Sequence, residues 1–93
     1  MSELTFETFA AAVKTRGFDE VLERKWQPSL VLDTHTHPFA VKALVVQGEM
    51  WLVVRNEEQH LLPGDGFTLV RDVPHIERYG AEGATYWAAR RHG

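Results

Sequence analysis

The chain has 93 residues, 44% hydrophobic and 25% charged, which suits a single domain over 1–93 and leaves no length for a second. Ten Lys and Arg against thirteen Asp and Glu give a formal charge of −3, and the basic residues are scattered apart from Arg90-Arg91, so no nucleic-acid partner is expected. With no cysteine, disulfides and thiolate ligands are excluded, and any metal site must be built from His, carboxylate or water.

Met1 to Thr5 lacks the basic start and apolar core of a signal peptide, and no apolar run approaches the ~18 residues that span a bilayer. A cytoplasmic protein with no membrane contact is therefore expected. The first element is a helix over about 6–16, because Phe6, Phe9, Ala10 and Val13 recur at helical spacing along one face. Thr5 can cap it and Leu4 can pack on Phe9 as a staple. At the other end, Gly17 suits the left-handed closing position and Phe18 can fold back on Val13.

Beyond the helix the pattern changes to short strand-like runs separated by turn residues. They are expected at 20–26, 29–37, 40–47, 50–55, 58–62, 67–70, 75–79 and 84–90. Turn chemistry punctuates them at Gln47-Gly48, Arg55-Asn56-Glu57, Pro63-Gly64-Asp65-Gly66, Asp72-Val73-Pro74 and Gly80-Ala81-Glu82-Gly83. About eight short strands make an all-β barrel or jelly roll with one N-terminal helix. The runs "ALVV" and "MWLVV" are apolar on both faces, so the outer face also needs cover, from the helix or from a second subunit. A homodimer is expected on that ground.

Chemistry concentrates in "DTHTHP". In a strand, residues two apart point to one face, so His35 and His37 present two imidazoles together. A third, His75, opens a later strand after the turn around Pro74. His60 and His92 read as surface residues. Trp51, Trp87 and Phe67 read as core or interface.

On these residues the chain resembles a small single-domain cupin, a double-stranded β-helix family with two short motifs that carry metal ligands. The first motif of the family runs Gly, five residues, His-x-His, three or four residues, Glu, six residues, Gly. The second runs Gly, five residues, Pro-x-Gly, two residues, His, three residues, Asn. Here His35, His37, Gly48, Gly64 and His75 stand at the matching spacings, over about residues 29–79. Ser29 replaces the leading Gly, Val70 the Pro, Asp72 the second Gly and Tyr79 the Asn. The Glu is also missing, because the chain has Val41 and Lys42 where it would stand.

The resemblance implies a divalent transition metal (Fe, Zn, Ni or Mn) held by His35, His37 and His75. By strand parity Val41 would face this site and Lys42 turn away. Asp33, two residues before His35, and Glu77, two after His75, are the carboxylates best placed to compensate, with orientation of an imidazole the preferred role for each. Glu77 and Tyr79 follow His75 on its inward face and are the acid or base candidates. A three-histidine cupin resembles the non-haem iron dioxygenases of the family, which implies oxidation of a small chelating or anionic organic molecule. The alternative is a cupin that binds or senses a small ligand without chemistry.

Overall fold

The computed structural model describes residues 5–92. A helix, α1 (Phe6–Lys14), precedes six strands: β1 (Glu20–Trp26), β2 (Val31–His35), β3 (Ala40–Val54), β4 (Glu57–Leu61), β5 (Gly66–Leu69) and β6 (His75–Arg91).

Helix α1 starts where its capping residue dictates. Thr5 Oγ1 accepts from the Thr8 amide at 3.1 Å and Thr8 Oγ1 accepts from the Thr5 amide at 2.9 Å, a reciprocal pair that satisfies two N-terminal donors. The expected staple from Leu4 lies outside the described residues. The helix ends at Lys14, short of the expected 16, because residues 15–17 form a turn through Gly17 at φ +92°. The Phe18 amide then donates to the Val13 carbonyl at 3.2 Å, which returns Phe18 to the apolar face as the sequence suggests.

Eight strand segments are present, but they are joined differently from the expectation. The runs at 40–47 and 50–55 are two halves of β3, and those at 75–79 and 84–90 are two halves of β6. These two strands pair antiparallel along their whole length, from Ala40↔Arg91 to Val54↔His75. The first half of β3 also pairs with β5 and its second half with β4; the second half of β6 pairs with β1 and its first half with β2. Two four-stranded layers therefore share β3 and β6 and close over one interior, the double-stranded β-helix arrangement.

Glycine makes the bend possible. The β3–β6 register shifts between Val45 and Gln47 and again between Gly48 and Met50, where Gly48 adopts φ +81° and Gly83 φ +75°. A Cβ on Gly48 would lie 2.1 Å from the Gly83 carbonyl oxygen, and one on Gly83 would lie 2.3 Å from that of Trp26. Both positions are closed to any side chain on two counts, conformation and space.

Alternation then sorts the side chains. Val41, Ala43 and Val45 point inward with Met50, Leu52, Phe67, Leu69, Tyr86 and Ala88. The outward residues Leu44, Val46, Trp87 and Ala89 meet Phe9 and Val13 of α1. Phe6 packs edge-on to Trp87 with ring centroids 5.8 Å apart, and the Trp87 indole N–H donates to Glu23 at 3.0 Å. The helix is thus the cover that one apolar outer face requires. On the other outer face, Trp51 is flanked by the His60 ring, stacked at 4.8 Å, and by the Arg78 guanidinium at 5.4 Å.

Two departures from the cupin motifs acquire a physical meaning. Ser29 and Asp72, which stand where the family has glycine, have φ of 58° and 61°. The left-handed conformation persists here without the residue that adopts it most cheaply. We expect Ser29→Gly to stabilise the fold by about 1 kcal/mol. Gly48→Ala should destabilise it by more than about 3 kcal/mol, whereas Gly64→Ala, at φ +97° with open space around it, should cost only about 1–2 kcal/mol. Chemical denaturation of the three variants checks the order.

Candidate metal centre

Strand register assembles the site from two elements. His35 and His75 are directly opposite across the β2–β6 ladder, and Glu77 follows His75 on the same face. His37 lies beyond the end of β2, in a connection whose position is fixed when the Asp72 amide donates to the His37 carbonyl at 2.8 Å. The turn that carries the second motif therefore anchors the first. His35, His37, His75 and Glu77 each bring one ligand atom to a common point, all within 4.8 Å of one another. The ring centroids of His35 and His75 are 4.2 Å apart, and that of His37 is 4.9 Å from the first and 5.1 Å from the second.

Backbone carbonyls set the tautomers. His35 Nδ1 lies 2.7 Å from the Asp33 carbonyl oxygen and His75 Nδ1 lies 3.0 Å from that of Val73. A carbonyl can only accept, so both Nδ1 atoms carry protons and both Nε2 atoms turn to the site. His35 Nε2 is 3.3 Å and His75 Nε2 3.6 Å from the same Glu77 oxygen, Oε2. With neutral imidazoles, lone pairs face lone pairs, and only a proton or a cation between them makes the arrangement favourable. His75 Nε2 is buried without a hydrogen-bond partner, an atom that metal coordination would satisfy. The donor set therefore fits a divalent transition metal.

Glu77 is 3% exposed, and its other oxygen is fully used. Oε1 accepts from the Tyr79 hydroxyl at 2.5 Å and from the Tyr86 hydroxyl at 3.0 Å. Burial alone would raise the Glu77 pKa, but the adjacent His75 imidazole and the bonds from Tyr79 and Tyr86 outweigh it, lower the pKa and hold the carboxylate charged. Burial raises both tyrosine pKa values, reinforced at Tyr79 by Tyr86 and then Glu77 and at Tyr86 by Glu77, so the phenols stay protonated donors. Burial lowers the His37 pKa, with the other two imidazoles adding to it. At His75, burial is outweighed by the Glu77 carboxylate and the Val73 carbonyl, and the pKa is raised.

The cluster forms one wall of a cavity of about 70 Å³, bounded also by Trp26, Phe39, Val41, Phe67, Leu69 and Tyr86. Val41 faces the site, as strand parity requires. Asp33 does not reach it: the β2–β6 register shifts between Leu32 and His35, which breaks the parity that would have aligned Asp33 with His35, and the side chain is exposed. Asp33 contributes its carbonyl instead. Tyr79 touches Glu77 rather than lining the cavity. His60 is exposed and bonded to Glu49 at 2.7 Å, away from the cluster. Tyr86 and Trp26 were not apparent as site residues from the sequence, although Arg24 and Trp26, two apart on β1, pair with Tyr86 and Ala84 on the inward face of β6.

The profile of the AraC-like ligand binding domain matches residues 18–90, the whole of the barrel. The chain belongs to the AraC-like ligand binding domain family. Solved cupins share the fold of this AraC-like domain. KdgF from a Halomonas species is 21% identical with a TM-score of 0.68, over 75% of this chain and 64% of its own. A cupin-like protein from Thermotoga maritima is 18% identical with a TM-score of 0.69, over 77% of this chain and 56% of its own. An oxalate decarboxylase from B. subtilis is 18% identical with a TM-score of 0.69, over 76% of this chain and 20% of its own. The chain thus spans less than two thirds of each, and likeness at this identity establishes the fold alone. No curated protein matches this chain in sequence. Among the described residues, no helix is long and apolar enough to cross a membrane.

The pKa directions generate a test. In the metal-free protein, protonated His75 stabilises the fold fully below its ordinary value of 6.5, and the contribution is lost as pH rises through the raised value. His37 acts in the opposite sense, through a window that closes at 6.5. A metal replaces the proton on His75, so the rise in Tm on adding Mn²⁺ should grow as pH rises above the ordinary value of 6.5 and shrink on acidification. Differential scanning fluorimetry on either side of that value measures it.

Proposed function

We propose that this AraC-like domain is a metal-dependent cupin. In this reading His35, His37, His75 and Glu77 hold a divalent transition metal (Fe, Zn, Ni or Mn) and the cavity receives a small chelating or anionic organic molecule. The observation that carries the proposal is the four ligand atoms within 4.8 Å of one another, with the buried Nε2 of His75 otherwise unpartnered. The Glu of the cupin motif is absent at Val41, and Glu77 supplies a carboxylate from a different strand. The three-histidine set inferred from the motifs becomes, in this proposal, three imidazoles and one carboxylate.

When bound, the metal supplies Lewis acidity and, as iron, redox chemistry toward O₂. The protein's own residues do the rest. Tyr79 and Tyr86 hold Glu77 charged and oriented, so Tyr79 is a positioning residue rather than an acid or base. Phe39, Val41, Phe67 and Leu69 keep water from the site. Once Glu77 and the histidines are committed to the metal, Tyr86 is the remaining titratable group on the wall besides the arginines, and its raised pKa makes it a poor base. This composition suits dioxygenase-like oxidation, in which O₂ is the reactant, better than proton abstraction.

The second reading is a domain that binds a ligand without transforming it, which the family's ligand-binding description favours. A homodimer in the cytoplasm belongs to the same proposal. Sedimentation at micromolar concentration should show two chains.

Oxygen consumption separates the readings. The Fe(II)-reconstituted protein, offered small diketones, thiols and phenolic acids, should consume O₂ with at least one class, and His35→Ala should abolish this. A shift in Tm with a compound that is never consumed would establish the binding reading instead.

A further inference from the structure

The inward face of the barrel carries two arginines that the metal cluster does not use. Arg24 is paired across β1–β6 with Tyr86, and Arg90 across β3–β6 with Val41, so both project to the side occupied elsewhere by Val41, Ala43, Val45, Tyr86 and Ala88. Both border the cavity that contains the histidines. Charged residues at inward positions of so small a barrel are costly unless something offsets them.

The partners present offset only part of the charge. Arg90 lies 4.6 Å from the Phe39 ring and bonds Glu20 at 3.2 Å, through one of its nitrogens. It is close enough to His37 to help lower that group's pKa. Arg24 lies 4.7 Å from the Trp26 ring, with no carboxylate or other acceptor bonded to it among the described residues. Arg24, without a bonded acceptor, and Arg90, with one nitrogen engaged, thus both border the cavity beside the proposed metal.

We infer that Arg24 and Arg90 form a clamp for one oxyanion end of a small organic dianion, whose other end is directed to the His35–His37–His75–Glu77 cluster. The inference rests on the proposed metal reading and names the substrate class for that site. Charge selects the dianion. A divalent cation against Glu77 leaves one positive charge, and two guanidiniums against Glu20 leave another. A short dicarboxylate balances both and suits a cavity of about 70 Å³.

Malonate, acetate and neutral malonamide serve as probes, titrated into Mn²⁺-loaded protein by calorimetry and by Trp fluorescence. Malonate should bind about tenfold or more tighter than either of the others, and Arg24→Gln/Arg90→Gln should weaken malonate about tenfold or more at unchanged Mn²⁺ stoichiometry. Arg24→Lys and Arg90→Lys, which keep the charge and lose the fork, should fall between. The clamp is overturned if malonate binds no tighter than malonamide, or if the double variant, loaded with Mn²⁺, binds malonate within about twofold of the parent. Failure of the metal reading shows separately, as no Mn²⁺ uptake by the parent. Malonate is then titrated against the metal-free protein, where the same arginine dependence is required.

Discussion

Glu77 has both carboxylate oxygens committed in the interior of the barrel. Oε1 takes two phenol hydrogens, and Oε2 faces the Nε2 atoms of His35 and His75. Burying a carboxylate costs several kcal/mol unless donors compensate, and the two tyrosines compensate only one side. The imidazoles on the other side have their Nδ1 protons tied to backbone carbonyls, so they present lone pairs rather than hydrogens. A positive particle between Oε2 and the two Nε2 atoms is what makes the interior electrostatically consistent. A proton supplies it at low pH, and a metal supplies it without depending on pH in the same way.

The barrel exists in a form that can bring these groups together because β3 and β6 are long and bent. The first half of β6 delivers His75 and Glu77, its second half delivers Tyr86 and Arg90, and β2 lies against the first half so that His35 meets His75. Gly48 and Gly83, in mutual contact at the bend, let one pair of strands serve both layers. Helix α1 covers the apolar outer face of the same strands, so the residues that fix the site are held from both sides.

Much of this was legible from the sequence. Strand parity placed Val41 inward and His35 beside His37, because both depend on local geometry, whereas His75 joined them only through the resemblance to the cupin motifs. Parity misled at Asp33, where a register irregularity between Leu32 and His35 intervenes, an effect that requires knowing the partner strand. The expectation of eight separate strands divided β3 and β6 at their bends, since a glycine that bends a strand and a glycine that ends one look alike in sequence. Glu77 was recognised as a compensating carboxylate, but its position among the ligand atoms depends on Tyr79 and Tyr86. Tyr86 comes from the far half of β6, so only the closed barrel reveals that contact. Ser29 and Asp72 show another case, in which residues at motif glycine positions adopt the left-handed backbone that they themselves would not suggest.

Metal content most directly tests the claim that this interior is built around a cation. Protein purified without an affinity tag would be analysed by mass spectrometry beside His35→Ala/His75→Ala and Glu77→Gln. The account predicts about one transition-metal ion per chain in the parent, none in the double variant and a reduced content with Glu77→Gln. A parent that carries no metal and takes none up on reconstitution with Fe(II), Mn²⁺, Ni²⁺ or Zn²⁺ would contradict it, and would leave a proton as the particle between Glu77 and the histidines.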